Sequence, residues 1–127
     1  VVRPVGSKYL LEEPLGRGAS GTVWLGRQRD TDEPVAIKVL REELSADPDV
    51  VARFVRERSL LLRVRHPHLV RVRDLVVEGE LLALVMDLVD GPDLRVHLRD
   101  HGPMSPAESA FVLAQVVAAL AAAHATG

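Results

Sequence analysis

Gly16, Gly18 and Gly21 stand at the spacing G-x-G-x-x-G within Leu15-Gly16-Arg17-Gly18-Ala19-Ser20-Gly21-Thr22-Val23, and Lys38 closes the run Val35-Ala36-Ile37-Lys38 further along. Glycines let a backbone approach phosphate oxygens with no Cβ in the way, and a lysine adds a cation for the polyanion. The glycine spacing alone is ambiguous, because two unrelated phosphate-binding devices use it. In a dinucleotide-binding fold the motif opens a helix whose N-terminus holds the pyrophosphate. Here Thr22-Val23-Trp24-Leu25 follows, β-branched and aromatic, with no apolar repeat of helical period. The motif is therefore read as the loop of a β-hairpin.

The elements that must position these groups follow from local pattern. Residues 9–13 form a first strand, 22–27 the returning strand and 35–40 a third. In the third, Val35, Ile37 and Val39 share one face while Ala36 and Lys38 share the other. Residues 28–34, Gln-Arg-Asp-Thr-Asp-Glu-Pro, are a polar loop. Asp47-Pro48 is a helix start, with Asp as N-cap and Pro in the first turn. The spacing predicts one helix over 48–64, with Glu57 as the acid in its middle. Strands over 69–77 and 81–87 flank the turn Glu78-Gly79-Glu80, and a polar Gly-Pro connector follows Val89. A short helix over 93–99 stops at His101-Gly102-Pro103. Ser105-Pro106-Ala107-Glu108 then has the form of a capping box. Residues 109–123 carry no charge, and a helix apolar all round is usually buried all round, so this one is read as a core helix deprived of its neighbours, with a large apolar surface exposed.

Composition excludes several function classes. With 127 residues the chain can build one ordinary core, and 47% hydrophobic with 27% charged residues is the balance of a soluble globular protein. A net charge of −2 gives no overall field for nucleic acid. Cysteine is absent, so disulfides are excluded, and a cytoplasmic location is expected. Val1-Val2-Arg3-Pro4-Val5-Gly6-Ser7 has no long apolar run, so no secretory leader is expected. Residues 109–123 are too small-sided, and too interrupted by Gln115, to be read as a membrane span, which takes about 20 apolar residues. The chain begins with Val rather than Met, which is read as either a piece of a longer protein or an unusual start.

Gly16-x-Gly18-x-x-Gly21, Val35-Ala36-Ile37-Lys38, Glu57 in the following helix, Arg65-His66-Pro67-His68-Leu69-Val70 and the segment Met86-Asp87-Leu88-Val89 occur in an order that resembles the protein kinase family, specifically bacterial, actinobacterial-type serine/threonine kinases. The resemblance implies an α+β, protein-kinase-like fold. Its parts would be a five-stranded antiparallel N-lobe sheet with one regulatory helix, a hinge, and the first helices of an incomplete helical C-lobe. The expected organisation is an extension over 1–8, the N-lobe with hinge over 9–89 and the start of the C-lobe over 90–127. By position, Gly16, Arg17, Gly18, Ala19, Ser20 and Gly21 would cover the phosphates of ATP, and Leu15, Val23 and Ala36 would pack on adenine. Lys38 would hold the α- and β-phosphates, oriented by a salt bridge to Glu57. Met86 would be the gatekeeper, Asp87 and Val89 would offer backbone hydrogen bonds to the base, and Asp93 would meet the ribose. Leu61 and Val72 resemble members of the apolar stack that joins the lobes.

The family's phosphoryl transfer also needs an aspartate in H-R-D-x-x-x-x-N and the Mg²⁺-holding Asn and D-F-G Asp. The chain has no asparagine; no histidine precedes Arg29-Asp30, Arg73-Asp74 or Arg99-Asp100, and neither Phe54 nor Phe111 follows an aspartate. The expectation is the ATP-binding part of a serine/threonine kinase, inactive by itself, with Mg²⁺ and a protein substrate engaged only through further sequence. No metal site of its own is expected. A non-catalytic nucleotide-binding or interaction module is the alternative. A dinucleotide-dependent oxidoreductase would need a helix directly after Gly21. His66, His68, His97 and His101 lack H-E-x-x-H and cysteine partners and are read as solvated, as are the arginines over 53–73.

Overall fold

Short polar turns between β-branched runs build most of the sheet as hairpins, and a helical connection joins its two parts. The computed structural model describes residues 3–89 and 94–125. In chain order the elements are β1 (Arg3–Val5), β2 (Tyr9–Arg17), β3 (Gly21–Gln28), β4 (Pro34–Leu40), α1 (Glu42–Ser45), α2 (Pro48–Arg56), α3 (Arg58–Arg63), β5 (Val72–Glu78), β6 (Leu81–Asp87), α4 (Leu94–His101) and α5 (Pro106–Ala125). The strands form one antiparallel sheet in the order β1-β2-β3-β4-β6-β5. The architecture is α+β, as expected.

The sheet has six strands rather than the five expected. Arg3–Val5, read as an extension, adds an edge strand because Val5 is buried and Gly6, at φ 60°, turns the chain so that Val5 pairs with Tyr9. At the other edge Gly79, at φ 58°, opens the tight connection between the paired residues Glu78 and Leu81.

The sheet curls until its edges approach. Tyr9 on β2 donates its hydroxyl to Asp74 Oδ2 on β5 at 2.9 Å, although β3, β4 and β6 lie between those strands. A Cβ on Gly6 would lie 3.2 Å from Val76 Cγ1. Strand twist accumulated over the sheet produces this closure. The concave side is filled by Val5, Tyr9, Leu11, Val35, Ile37, Ala83 and Val85. The opposite face buries Leu40, Leu75 and Leu82 under Leu44 of α1 and Val51 and Phe54 of α2. Burying side chains of this size contributes about 1.5–3 kcal/mol each.

The helix expected over 48–64 is instead two. Asp47 caps α2 by accepting the Asp49 N–H at 2.9 Å, with Pro48 next to it as predicted. The helical path breaks at Glu57, whose φ and ψ are −87° and 2°. The next residue, Arg58, reaches Asp74 on β5 at 3.1 Å, which ties α3 to the sheet beside the break. The strand expected over 69–77 starts only at Val72, because the Leu69 N–H turns back to the His66 carbonyl at 3.1 Å, around Pro67. The single turn α1 was not anticipated.

α4 closes on Gly102, at φ 77°, whose N–H bonds the Leu98 carbonyl at 2.8 Å. α5 opens with the predicted capping box: Ser105 Oγ accepts the Glu108 N–H at 3.1 Å, and Glu108 Oε1 accepts the Ser105 N–H at 3.2 Å. Those bonds hold the Glu108 carboxyl below the usual carboxylate range. Most of α5 is exposed, including Phe111 at 68%, while Ala119 is buried. This is the exposure expected of an apolar helix deprived of its neighbours, since few of the described residues pack against it. Pro106–His124 is long and apolar enough, by length and composition, to cross a membrane.

Candidate functional site

Strand register assembles the site. Gly16 pairs with Val23, Val23 with Lys38 and Lys38 with Leu84, so one row crosses β2, β3, β4 and β6. In the row two positions away, Leu25 pairs with Ala36 and Ala36 with Met86. Residues separated by two positions share a face. Val23, Ala36, Lys38 and Met86 therefore lie on the same side as Leu40, Leu82 and Leu84, which α1 and α2 cover. Ala36 is buried, while Val23, Lys38 and Met86 are partly accessible.

The glycine loop is the tip of the β2–β3 hairpin. A dinucleotide-type motif is ruled out, since β3 runs from Gly21 through Gln28 where a helix would be needed. The Gly18 N–H bonds the Gly21 carbonyl at 2.9 Å, and the Ser20 carbonyl accepts the Arg41 N–H at 2.9 Å, which ties the tip to the end of β4. The Ala19 and Ser20 amides carry no hydrogen bond among the described residues, so this tip presents unpaired donors.

The three glycines do different work. A Cβ on Gly16 or Gly18 would meet nothing within 4 Å, so that side of the loop is open to a ligand. A Cβ on Gly21 would lie 2.1 Å from the Val39 carbonyl oxygen, so Gly21 is required by the close approach of β3 to β4. Gly26 has a similar role that sequence reasoning missed: its Cβ would sit 2.4 Å from Ile37 Cδ1 and 2.8 Å from the Leu10 carbonyl oxygen. A lone Gly inside a strand pattern was the available signal.

Leu15 is the extra residue where register shifts between Pro14 and Gly16, and it is 52% exposed. Val89, just past β6, is 65% exposed. Both are apolar side chains of the kind a planar base can cover. The Asp87 N–H is committed to the Arg71 carbonyl at 3.0 Å, which leaves its carbonyl as the backbone group it can offer a base. Asp93 lies outside the described residues.

The expected ion pair between Lys38 and Glu57 is not formed: among the described residues no ion pair joins them. Glu57 stands instead at the break between α2 and α3, and the adjacent Arg58 pairs with Asp74. Asp74 in turn accepts the Tyr9 hydroxyl, and burial followed by this acceptor pushes the Tyr9 phenol up to about 12.

A second cluster borders the site and was not foreseen. Arg73 on β5 donates from Nε to Asp87 Oδ1 at 2.5 Å and from Nη2 to Glu33 Oε1 at 2.6 Å. Glu33 is held below the usual carboxylate range by that guanidinium, and Arg73 is held above its ordinary value by Glu33 first and Asp87 second. In sequence Arg73-Asp74 is only an Arg-Asp pair with no preceding His.

A strand after the glycine loop and a lysine in register with it agree with what the whole chain matches: residues 9–127 fit the model of the protein kinase domain. The chain belongs to the protein kinase family. It is 64% identical to the serine/threonine-protein kinase PkaA of Streptomyces coelicolor over 99% of this chain and 25% of that protein. It is 54% identical to PkaB of the same organism over all of this chain and 30% of that one. The chain thus spans between a quarter and a third of these curated relatives. The crystal structure of the Mycobacterium tuberculosis PknI kinase domain superposes with a TM-score of 0.84 at 32% identity, over 95% of this chain and 50% of that one. As a kinase-family sheet, the register places Gly16, Val23, Ala36, Lys38 and Met86 together, with no ion pair from Lys38 to Glu57 among the described residues.

Proposed function

We propose that this chain is the ATP-binding part of a serine/threonine protein kinase that, as a whole, transfers the γ-phosphoryl group of ATP to a protein hydroxyl. The observation that carries the reading is the row Gly16–Val23–Lys38, with Ala36 and Met86 beside it on the same face. On this reading the open sides of Gly16 and Gly18 and the unpaired amides of Ala19 and Ser20 admit phosphates, with Arg17 and Gly21 completing the loop. Lys38 neutralises the α- and β-phosphates. Leu15, Val23 and Ala36 cover adenine, Met86 closes the rear of its pocket, and the Asp87 carbonyl and Val89 backbone take its edge. Asp93 is assigned to the ribose.

Glu57 is assigned the role of orienting Lys38 once α2 and α3 shift toward β4. A carboxylate at ion-pair distance would keep that lysine charged and aimed. The chain has no asparagine, so the family's Mg²⁺-holding Asn has no counterpart here, and no step is assigned to the metal. ATP and a protein substrate are the partners of this reading, with no nucleic acid. α5 is assigned to the second lobe rather than to a membrane, in keeping with a cytoplasmic enzyme.

The test is calorimetric titration of ATP into the complete protein that carries this chain and into its Lys38→Ala variant. Charge-assisted bonds to phosphate imply a loss of affinity of about 10- to 100-fold with the melting temperature little changed. Equal affinity in the two proteins would refute the assignment of Lys38. A non-catalytic nucleotide-binding module would bind in the same way yet transfer no phosphate to any protein substrate.

A further inference from the structure

Arg73 occupies an irregular position in the sheet. Val72 pairs with Met86 and Asp74 pairs with Val85, so Arg73 is the additional residue of a bulge between β5 and β6. Bulges re-aim side chains and recur next to functional sites. Here the guanidinium lies along the sheet edge and grips two carboxylates from different segments: Asp87, the last residue of β6, and Glu33, in the loop before β4. The Arg73 side chain is only 22% exposed, so neither bond is a freely solvated surface pair.

Three independent restraints meet at Asp87. Its carboxylate is held by Arg73, its N–H by the Arg71 carbonyl, and its Cα is in register with Val35 on β4. A peptide fixed at the side chain, the amide and the strand pairing has little freedom left to rotate its carbonyl. Glu33 directly precedes β4, so Arg73 also joins β5 to the start of the strand that carries Ala36 and Lys38.

We infer that Arg73 is a positioning residue for base recognition: by clamping Asp87 against Glu33 it fixes the direction of the Asp87 carbonyl, and thereby the preference for a purine that presents an amino donor there. This rests on the reading of residues 86–89 as the strip that meets adenine. The adenine amino group donates to a carbonyl aimed at it. The guanine keto oxygen at the same place would face an acceptor, and two acceptors cannot pair. An unclamped carbonyl weakens the first interaction and relaxes the penalty on the second.

The experiment measures ATP and GTP affinities by calorimetry in the complete protein, for wild type, Arg73→Met, Arg73→Lys and Glu33→Gln. Wild type is expected to prefer ATP. In Arg73→Met the ATP affinity should fall about three- to tenfold, the scale of one hydrogen bond, with GTP affinity changed less than about twofold. The preference should therefore drop by nearly the same factor. Arg73→Lys, a point charge without the planar fork, should recover only part of it. Glu33→Gln, on an exposed loop, should lower the preference about twofold.

An unchanged ATP-to-GTP ratio in Arg73→Met overturns the inference while leaving the ATP site standing. So does an equal loss for both nucleotides, which is what a general loss of stability would give. Absence of ATP binding in wild type instead removes the adenine reading itself, and the inference with it. If Arg73→Met does not fold, Glu33→Gln decides, and an unaltered ratio there overturns the inference.

Discussion

Substituting the three loop glycines one at a time should separate structure from binding. In Gly21→Ala the new methyl would stand 2.1 Å from the Val39 carbonyl oxygen, 2.9 Å from Leu40 Cα and 3.0 Å from the Val39 carbonyl carbon. All three are backbone atoms, so no side chain can swing away, and β3 must separate from β4 by roughly an ångström. Overpacking of this kind costs about 1–3 kcal/mol. The displacement also strains the end of the β3–β4 pairing, where Gly21 meets Leu40 and the Arg41 N–H bonds Ser20, at about 0.5–1.5 kcal/mol for each bond lost. A total of about 2–4 kcal/mol corresponds, for a chain of this length, to a fall in melting temperature of roughly 6–15 °C.

Gly16 and Gly18 have no heavy atom within 4 Å of the would-be Cβ, and neither has a positive φ. Alanine at either should leave stability within about 0.5 kcal/mol of wild type while obstructing phosphate. The assay is a thermal melt followed by the fluorescence of Trp24, the only tryptophan, paired with calorimetric ATP titration. Gly21→Ala melting with wild type, or Gly16→Ala and Gly18→Ala melting as low as Gly21→Ala, would refute the division of roles.

Tyr9 is the only tyrosine, so absorbance near 295 nm reports its ionisation alone. Its midpoint is expected at about 12, and Asp74→Asn should bring it back toward 10. Because the folded state raises this pKa, the stability it contributes is complete below the unfolded value near 10 and is lost as pH rises from there toward 12. A midpoint near 10 with the fold intact would contradict the burial of the phenol together with its hydrogen bond to Asp74. The 127-residue chain on its own should self-associate through α5, whose Phe111, Leu113, Val117 and Leu120 are exposed. A monodisperse monomer by sizing and scattering would count against that surface, and charged residues at Leu113 and Val117 should suppress association.

Local chemistry wrote much of this molecule directly into the sequence. Gly16-x-Gly18-x-x-Gly21 followed by a β-branched run specified a hairpin tip, alternation over 35–40 put Ala36 and Lys38 on one face, and Ser105 with Glu108 specified a capped helix start. These are decided within a few residues, by turn geometry, the two-residue period of a strand and orphan amides at a helix end. Long-range partners were not legible. The sixth strand depends on Val5 finding the concave core, and the break at Glu57 sits beside the contact of Arg58 with Asp74, 16 positions away. Gly21 and Gly26 are required by neighbouring strands, and Arg73 gains its partners only when β5, β6 and the loop before β4 converge. The sequence by itself determined which residue types stand at a phosphate-binding spacing. The curl and register of the sheet decided which stand together, because side chains far apart in the chain acquire neighbours only when the strands between them pair.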